Sequence, residues 1–189
     1  MGLKDYDVTI RGTAPLMHNR YPMEATGITK KHQRGTLFNA EGEVKKTYYV
    51  NSKGEIYQPA EHIEGALIQA GSAKTVPGLG KKTYKDQMKT NIAVLPVEIP
   101  FPNGKNYKTD VRLAVIPATR GRVPVARARW DEWEFNFTLR VFDDSLLDCE
   151  TLKELLEMAG KTKGIGTYRP KYGRFEVTKF EPVKSGKTK

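Results

Sequence analysis

The segment over residues 133–141 constrains the fold of this chain more than any other stretch. Large apolar side chains alternate there with polar ones, at Trp133, Phe135, Phe137, Leu139 and Val141. A period of two places all five on one face of a β-strand. Such a strand needs a second layer over its apolar face. The segment therefore predicts a sheet covered on one side by other elements.

The other periodic segments predict which elements form that second layer. In chain order they are a strand over residues 6–12, a helix carrying Ile63, Ala66, Leu67 and Ala70 and ended by Gly71, strands over residues 92–99, 110–116 and 133–141, a helix carrying Leu152, Leu155, Leu156 and Ala159 and ended by Gly160, and a last strand with Phe175, Val177 and Phe180. In outline this is a split βαβ arrangement. We therefore predict an α+β chain with a ferredoxin-like antiparallel sheet and two helices, as in RNA-recognition-motif domains.

Length and composition predict one domain with elaborations. The 189 residues are enough for a single core. We expect basic insertions over about residues 13–57 and 72–130, and a basic tail over residues 183–189. Within the first insertion, residues 47–57 predict a hairpin around a turn at residues 51–54. Residues 72–89 are interrupted by Gly and Pro and rich in lysine, and predict a flexible basic loop.

The charge balance indicates an acidic partner. The chain has 32 Lys and Arg residues against 22 Asp and Glu residues, a net charge of +10. Residues 105–129 hold seven cations against Asp110, and residues 161–189 hold nine against Glu176 and Glu181. Clusters of this kind are typical of nucleic-acid-binding surfaces. Solubility or a thermophilic surface is an alternative explanation for part of the charge.

The cysteine count and hydropathy limit the other function classes. A single cysteine, Cys149, excludes an intramolecular disulfide and leaves no thiol cluster for zinc. No stretch approaches the roughly 18 apolar residues of a membrane span, and no signal-peptide core is present. We expect a cytoplasmic protein without membrane contact, metal or other cofactor.

Residues 160–175 combine four glycines with cations and two tyrosines, Tyr168 and Tyr172. Glycines let a backbone approach phosphate closely, cations supply counter-charge, and tyrosine rings stack on unstacked bases. This composition predicts a loop that contacts nucleic acid. The alternative is an ordinary connector in which Gly160 ends a helix, Gly173 starts a strand and the cations are solvated.

A second basic segment covers residues 119–130. Arg127 and Arg129 are two residues apart, so both project from one face of an extended chain. In that arrangement they can follow neighbouring phosphates. The alternative is an edge strand that uses its charge to prevent aggregation.

His18, Asn19 and Arg20 follow the first strand, at a position where binding groups often lie. His18 is the one residue that suggests catalysis, as a general acid or base with Tyr21 or a lysine. Among the tyrosines, Tyr48, Tyr49, Tyr168 and Tyr172 stand in polar surroundings and are candidates for base stacking.

Two segments resemble a known superfamily. Residues 56–67, with Pro59 before a helix that contains Gly-Ala-Leu, and the glycine-rich loop of residues 160–175 are similar to motifs of the repeat-associated mysterious proteins of CRISPR systems. The resemblance is closest to the backbone subunits of CRISPR interference complexes. It implies assembly along a guide RNA. A stand-alone relative from a virus or mobile element that coats single-stranded DNA is the other interpretation.

We therefore expect a non-enzymatic protein that coats a single strand of DNA or RNA by side-by-side assembly, with little sequence preference. A metal-independent endoribonuclease using His18, and a basic scaffold with a protein partner, are the alternatives. The candidate binding residues are His18, Asn19, Arg20, Lys30, Lys31, Arg34, Lys74, Lys81, Lys82, Arg120, Arg122, Arg127, Arg129, Lys161, Lys163, Tyr168, Arg169, Lys171 and Tyr172.

Overall fold

A computed structural model describes residues 3–20, 38–115 and 120–183. The strands are β1 (Lys4–Gly12), β2 (Leu16–Met17), β3 (Tyr57–Pro59), β4 (Ile92–Leu95), β5 (Glu98–Pro100), β6 (Lys108–Val115), β7 (Arg122–Trp130), β8 (Glu134–Val141) and β9 (Phe175–Pro182). The helices are α1 (Ala40–Val44), α2 (Ala60–Gly71), α3 (Lys85–Thr90) and α4 (Cys149–Thr162).

The main sheet is antiparallel and has four strands in the order β4-β8-β1-β9. With α2 after β1 and α4 after β8, this is the strand order of a ferredoxin-like fold. The predicted fold class, α+β with a ferredoxin-like and RNA-recognition-motif-like sheet, is confirmed. The strand order follows from β8, whose apolar face is the widest in the chain and which pairs centrally with β1.

The core lies between this sheet and the helices α2 and α4. Phe135, Phe137 and Leu139 of β8 are opposite Ile10, Val8 and Tyr6 of β1, and all six are buried. The predicted helix positions from Ile63 to Ala70 and from Leu152 to Ala159 are buried as well. Burial of one such large side chain contributes about 1.5–3 kcal/mol.

The expected second insertion, residues 72–130, contains a strand of the core. Residues 92–95 form β4, which pairs with β8 from Ile92↔Val141 to Leu95↔Thr138. Residues 98–100 then leave this sheet and pair as β5 with β3. The expected strand over residues 92–99 is therefore divided between two sheets. Because β4 belongs to the main sheet, the insertion expected over residues 72–130 consists of two shorter ones, one before and one after this strand.

The expected flexible loop over residues 72–89 is more regular than predicted. Thr75 and Thr83 form an antiparallel bridge, and Tyr84 and Met88 anchor α3 in the core. The periodicity is too short to reveal this, because α3 has six residues and only Met88 among them is buried. The hairpin predicted for residues 47–57 is present as a bridge between Val50 and Ile56, with Gly54 at φ 78° in its turn.

A second sheet in the order β2-β7-β6 contains the arginine-rich segment. β6 and β7 pair from Lys108↔Arg129 to Val115↔Arg122 and form a long hairpin. The segment of residues 122–130 is a strand, and near Arg129 and Trp130 it lies between β2 and β6. None of the helices in the described ranges is long and apolar enough to cross a membrane.

Gly160 does not end its helix, which continues to Thr162. It lies instead where α4 packs directly on β9, and an added Cβ would stand 2.2 Å from the backbone oxygen of Phe175. The glycine is therefore required by close packing and not by helix termination.

This packing gives a matched pair of glycine substitutions within helices. Gly160→Ala should lower the free energy of unfolding by about 2 kcal/mol, because the backbone of β9 must move. Gly65→Ala, in α2, places its Cβ where no atom lies within 4 Å. It should raise the free energy of unfolding by about 0.5–1 kcal/mol through helix propensity alone. Urea titrations of both variants test this, and equal effects of the two substitutions would contradict it.

Candidate nucleic-acid interface

The glycine-rich loop between α4 and β9 is fixed to the protein by its own backbone. Gly173 N–H donates to the carbonyl of Pro15 at 2.8 Å, and Thr167 N–H donates to that of Met17 at 2.9 Å. Gly166 and Gly173 have positive φ, and a Cβ on either would meet a carbonyl oxygen within 2.4 Å. These two glycines therefore allow close approach to other protein backbone, not to a phosphate. The loop is a docked element that presents the side chains between them.

Tyr168 and Tyr172, both from this loop, lie against the arginines of the β6–β7 hairpin. The guanidinium carbon of Arg112 is 5.2 Å from the ring centre of Tyr168 and 4.9 Å from that of Tyr172. Arg127 lies 4.9 Å from the Tyr168 ring. Such cation–π contacts are worth about 0.5–1 kcal/mol each at exposed sites. The structure thus joins the two segments that the sequence singled out separately.

Arg127 is held by neutral groups. Its Nε–H donates to Asn19 Oδ1 and its Nη1–H to the Tyr168 hydroxyl, both at 3.0 Å. No carboxylate of the described residues forms an ion pair with it. Its charge is therefore not neutralised by a direct ion pair, and its orientation is fixed before any anion binds.

Arg112 and Arg129, in contrast, are paired with acids. Arg112 donates to both oxygens of Asp110, at 2.5 and 3.0 Å, and to the Tyr172 hydroxyl at 2.5 Å. Arg129 donates to Asp131 at 2.7 Å. Hydrogen bonds from Arg112 hold the pKa of Asp110 below its usual value, and hydrogen bonds from Lys108 and then Arg129 do so for Asp131. Both carboxylates therefore stay ionised at neutral pH.

Asp110 and Asp131 were not among the candidate residues. The signal for Asp110 was present in the sequence, because Lys108, Asp110 and Arg112 alternate along β6 and so share one face. Their register opposite Arg129, Arg127 and Val125 of β7 could not be derived without the strand pairing.

The surrounding surface holds more cations of the candidate set. Arg169 and Lys171 are exposed on the loop, and Lys163 lies at the end of α4. A depression of ≈ 520 Å³ beside them is lined in part by Gln69, Thr167 and Tyr168. Arg120 and Arg122 lie exposed at the start of β7, but Arg122 is opposite Val115 and so projects from the other face of the hairpin. Lys161 is partly neutralised by Glu157 at 3.9 Å.

Three lysines are not brought to this surface. Lys74 forms an ion pair with Glu154 of α4 and lies over the Tyr84 ring, which places it on the helical side. Residues 122–130 and 163–172 together form what we call the arginine–tyrosine surface. Lys81 and Lys82 are exposed in the same segment as Lys74, and no contact within the described ranges joins them to this surface. Lys30, Lys31 and Arg34 lie outside the described residues.

The His18 side chain is fully buried and cannot contact a nucleic-acid strand in this fold. Its Nε2 lies 2.9 Å from Gln58 Oε1, and the Gln58 amide donates to His62 Nδ1 at 2.9 Å. Since Gln58 Oε1 only accepts, His18 carries its proton on Nε2 and is neutral. Burial lowers the pKa of His18 to about 3. The expectation that His18 binds nucleic acid is therefore wrong, and its neighbour Asn19 is the exposed residue.

Two of the four candidate stacking tyrosines are half-buried against other aromatic rings. Tyr49 contacts the rings of His18, Tyr57 and His62, and Tyr48 lies 5.3 Å from Tyr107. Burial raises the pKa of both tyrosines. Polar neighbours in sequence gave the wrong indication here, because the rings that pack on these tyrosines, Tyr57, His62 and Tyr107, are not their neighbours in sequence.

The open face of the main sheet differs from the stacking platform of RNA-recognition motifs. Paired polar side chains cover it instead of aromatic rings: Arg11 with Glu134, Thr9 with Asn136, Arg140 with Asp5, and Lys179 with Asp7 and Glu181. Nearly balanced charge gives this face little attraction for a polyanion. The arginine–tyrosine surface is consequently the better candidate site.

Comparison with known proteins supports the fold. One chain of a cryo-EM structure, the type III-B Cmr-beta bound to cognate target RNA, matches 97% of this chain with a TM-score of 0.61 and 13% sequence identity. This chain spans 62% of the length of that chain. No protein-family model and no curated protein matches the sequence. The likeness is one of fold.

The buried histidine gives a pH prediction. Its pKa is lower in the folded state than in the unfolded state, so between about pH 3 and 6.5 the unfolded chain binds more protons and stability falls as pH falls. From pH 6.5 to 5 the contribution of His18 is a loss of about 2 kcal/mol. His18→Gln should lose less stability over this range than the unsubstituted protein.

Urea titrations at pH 5, 5.5, 6 and 6.5 measure the difference. His62, whose pKa burial also lowers, is present in both proteins. Identical pH dependence of the two proteins, or an NMR titration of His18 near pH 6.5, would contradict the burial of a neutral His18.

Proposed function

We propose that this protein binds single-stranded nucleic acid through the arginine–tyrosine surface formed by residues 122–130 and 163–172. The observation that carries the proposal is Arg127, a fixed guanidinium with neutral partners, beside a loop that adds Arg169 and Lys171. Phosphate is the natural ligand of such a group, because Arg donors match its oxygens and its charge.

Two further observations support nucleic acid as the partner. The neighbour in fold belongs to a structure bound to target RNA. Tyr168 is 39% exposed, so part of its ring remains accessible beside Arg127. Stacking on an aromatic ring needs a base that is not already stacked in a duplex, which favours a single strand. Because the cations contact phosphates, little sequence preference is expected.

Assembly of protomers along the strand is the finer part of the proposal. The face of β6 opposite to Arg112 exposes Val111, Leu113 and Val115, at 50%, 63% and 58%. Among the described strands, β6 lies at the edge of its sheet. Adjacent apolar side chains on an edge strand are an aggregation risk unless a partner covers them. A neighbouring protomer on the same strand supplies such a cover.

The proposed activity is binding without catalysis. His18, the candidate acid or base, is buried and neutral, and Tyr21, its suggested partner, lies outside the described residues. No group of three His, Cys, Asp or Glu residues suited to a metal ion occurs in the described part of the chain.

The exposed side chains of Val111, Leu113 and Val115 form an apolar stripe on β6, and this stripe suggests a second candidate function. A protein of another kind that covers Val111, Leu113 and Val115 would make this chain a scaffold subunit, with its positive charge serving solubility. This alternative predicts no salt-sensitive binding to oligonucleotides.

Fluorescence anisotropy with labelled single-stranded DNA, single-stranded RNA and duplex DNA across a salt series tests the function. With about four phosphates neutralised, log affinity should fall against log salt with a slope of roughly −3 for a single strand. Absence of binding to all three polymers would contradict the proposal and favour the scaffold.

Arg127 offers the sharpest substitution. Arg127→Gln should make the salt slope shallower by about 0.7 and weaken binding about fivefold at 0.1 M salt, the share of one phosphate contact. Arg11→Gln, on the open sheet face, removes the same charge from a strand position and should leave the slope unchanged. Equal effects of the two substitutions would show that only net charge matters, and would remove Arg127 from the site.

The apolar stripe can be tested without touching the cations. Leu113→Ser with Val115→Thr should leave the affinity for an oligonucleotide too short for two protomers unchanged. On a long strand the same variant should lose the growth in mass that light scattering detects. Loss of binding to the short oligonucleotide would contradict a role of the stripe in assembly alone.

A further inference from the structure

Counting cations overstates the charge that the hairpin offers to a ligand. Lys108, Arg112, Arg127 and Arg129 share one face of β6 and β7, and the same face carries Asp110. Asp131 follows β7 directly. Of the four cations, three are tied to these two carboxylates, since Lys108 lies 2.7 Å from Asp131.

The donors of Arg112 and Arg129 are largely occupied. Arg112 uses Nε and Nη2 on Asp110 and Tyr172, and both tyrosine rings lie near its guanidinium. Arg129 uses Nε and Nη2 on Asp131, and its Nη1 lies 3.5 Å from Asp110. A phosphate would have to replace a carboxylate that is already in place. The Asp110 side chain is only 11% exposed, which weakens screening by solvent.

We propose that Asp110 and Asp131 are specificity-determining residues that act as internal counter-ions and restrict phosphate binding on this face of the hairpin to Arg127. This inference rests on the proposed function and concerns the same surface. The two acids lower the general attraction to polyanions. Tight binding then requires a nucleic-acid strand that contacts both Arg127 and the glycine-rich loop. A single phosphate contact on the hairpin is not enough.

Neutralising one acid at constant shape tests the inference. Asp131→Asn and Asp110→Asn should each free a guanidinium, tighten single-strand binding about fivefold at 0.1 M salt, and steepen the salt slope by about 0.7. Affinity for heparin and for duplex DNA should increase by at least the same factor, so that preference for the single strand falls. Asp131 is the more exposed of the two, which makes its variant the safer one for folding.

Asp7→Asn is the matched control. Asp7 pairs with Lys179 at 3.6 Å on the open sheet face, so its loss also adds one net charge, while Lys179 keeps Glu181 at 3.5 Å. Asp7→Asn should change the affinity for a single strand and the salt slope less than Asp110→Asn and Asp131→Asn do. Circular dichroism and urea midpoints verify that all three variants are folded.

The outcomes separate the inference from the function on which it rests. If the unsubstituted protein binds no oligonucleotide, the proposed function is wrong. If it binds, and Asp131→Asn behaves as Asp7→Asn does, the counter-ion role is overturned. Weaker binding by a folded Asp131→Asn variant would also overturn it, because the acid would then be orienting Arg129 for the strand.

Discussion

The docking of the glycine-rich loop on residues 15–17 is the interaction on which the candidate site depends. Gly166 approaches the carbonyl of Met17 more closely than a side chain would allow, and the Gly173 N–H donates to the carbonyl of Pro15. This contact holds Tyr168 against the hairpin. Without it the arginines of β7 would have no aromatic partners, and the loop cations would have no fixed relation to Arg127.

The same contact connects the site to the core. The loop begins where α4 ends and leads into β9, and both elements pack tightly at Gly160 and Phe175. On the other side, residues 15–17 continue from β1, the central strand next to β8. The ferredoxin-like core therefore positions the loop and the hairpin from two sides, while its own open face is covered by paired charges.

Much of the core could be predicted from the sequence, because its apolar positions repeat at the periods of strands and helices. The helix over Leu152 to Ala159 and the strand from Phe135 to Val141 are clear examples. The site was predictable only in part. Residue types indicated an arginine segment and a glycine-rich loop, but not that Arg127 has neutral partners while Arg129 has Asp131. Asp131 is only two residues from Arg129, but Asn19 and Tyr168, the partners of Arg127, come from distant parts of the chain. His18 was misplaced for a related reason, because its burial comes from Gln58 and Trp130, far away in the chain.

Photo-crosslinking of a labelled single strand, with the attachment sites located by mass spectrometry, tests the central claim most directly. The account predicts crosslinks to Tyr168 and to the peptide containing Arg127, and their loss at high salt. Crosslinks concentrated on β1 and β8 of the open sheet face, with none at the loop or the hairpin, would contradict it.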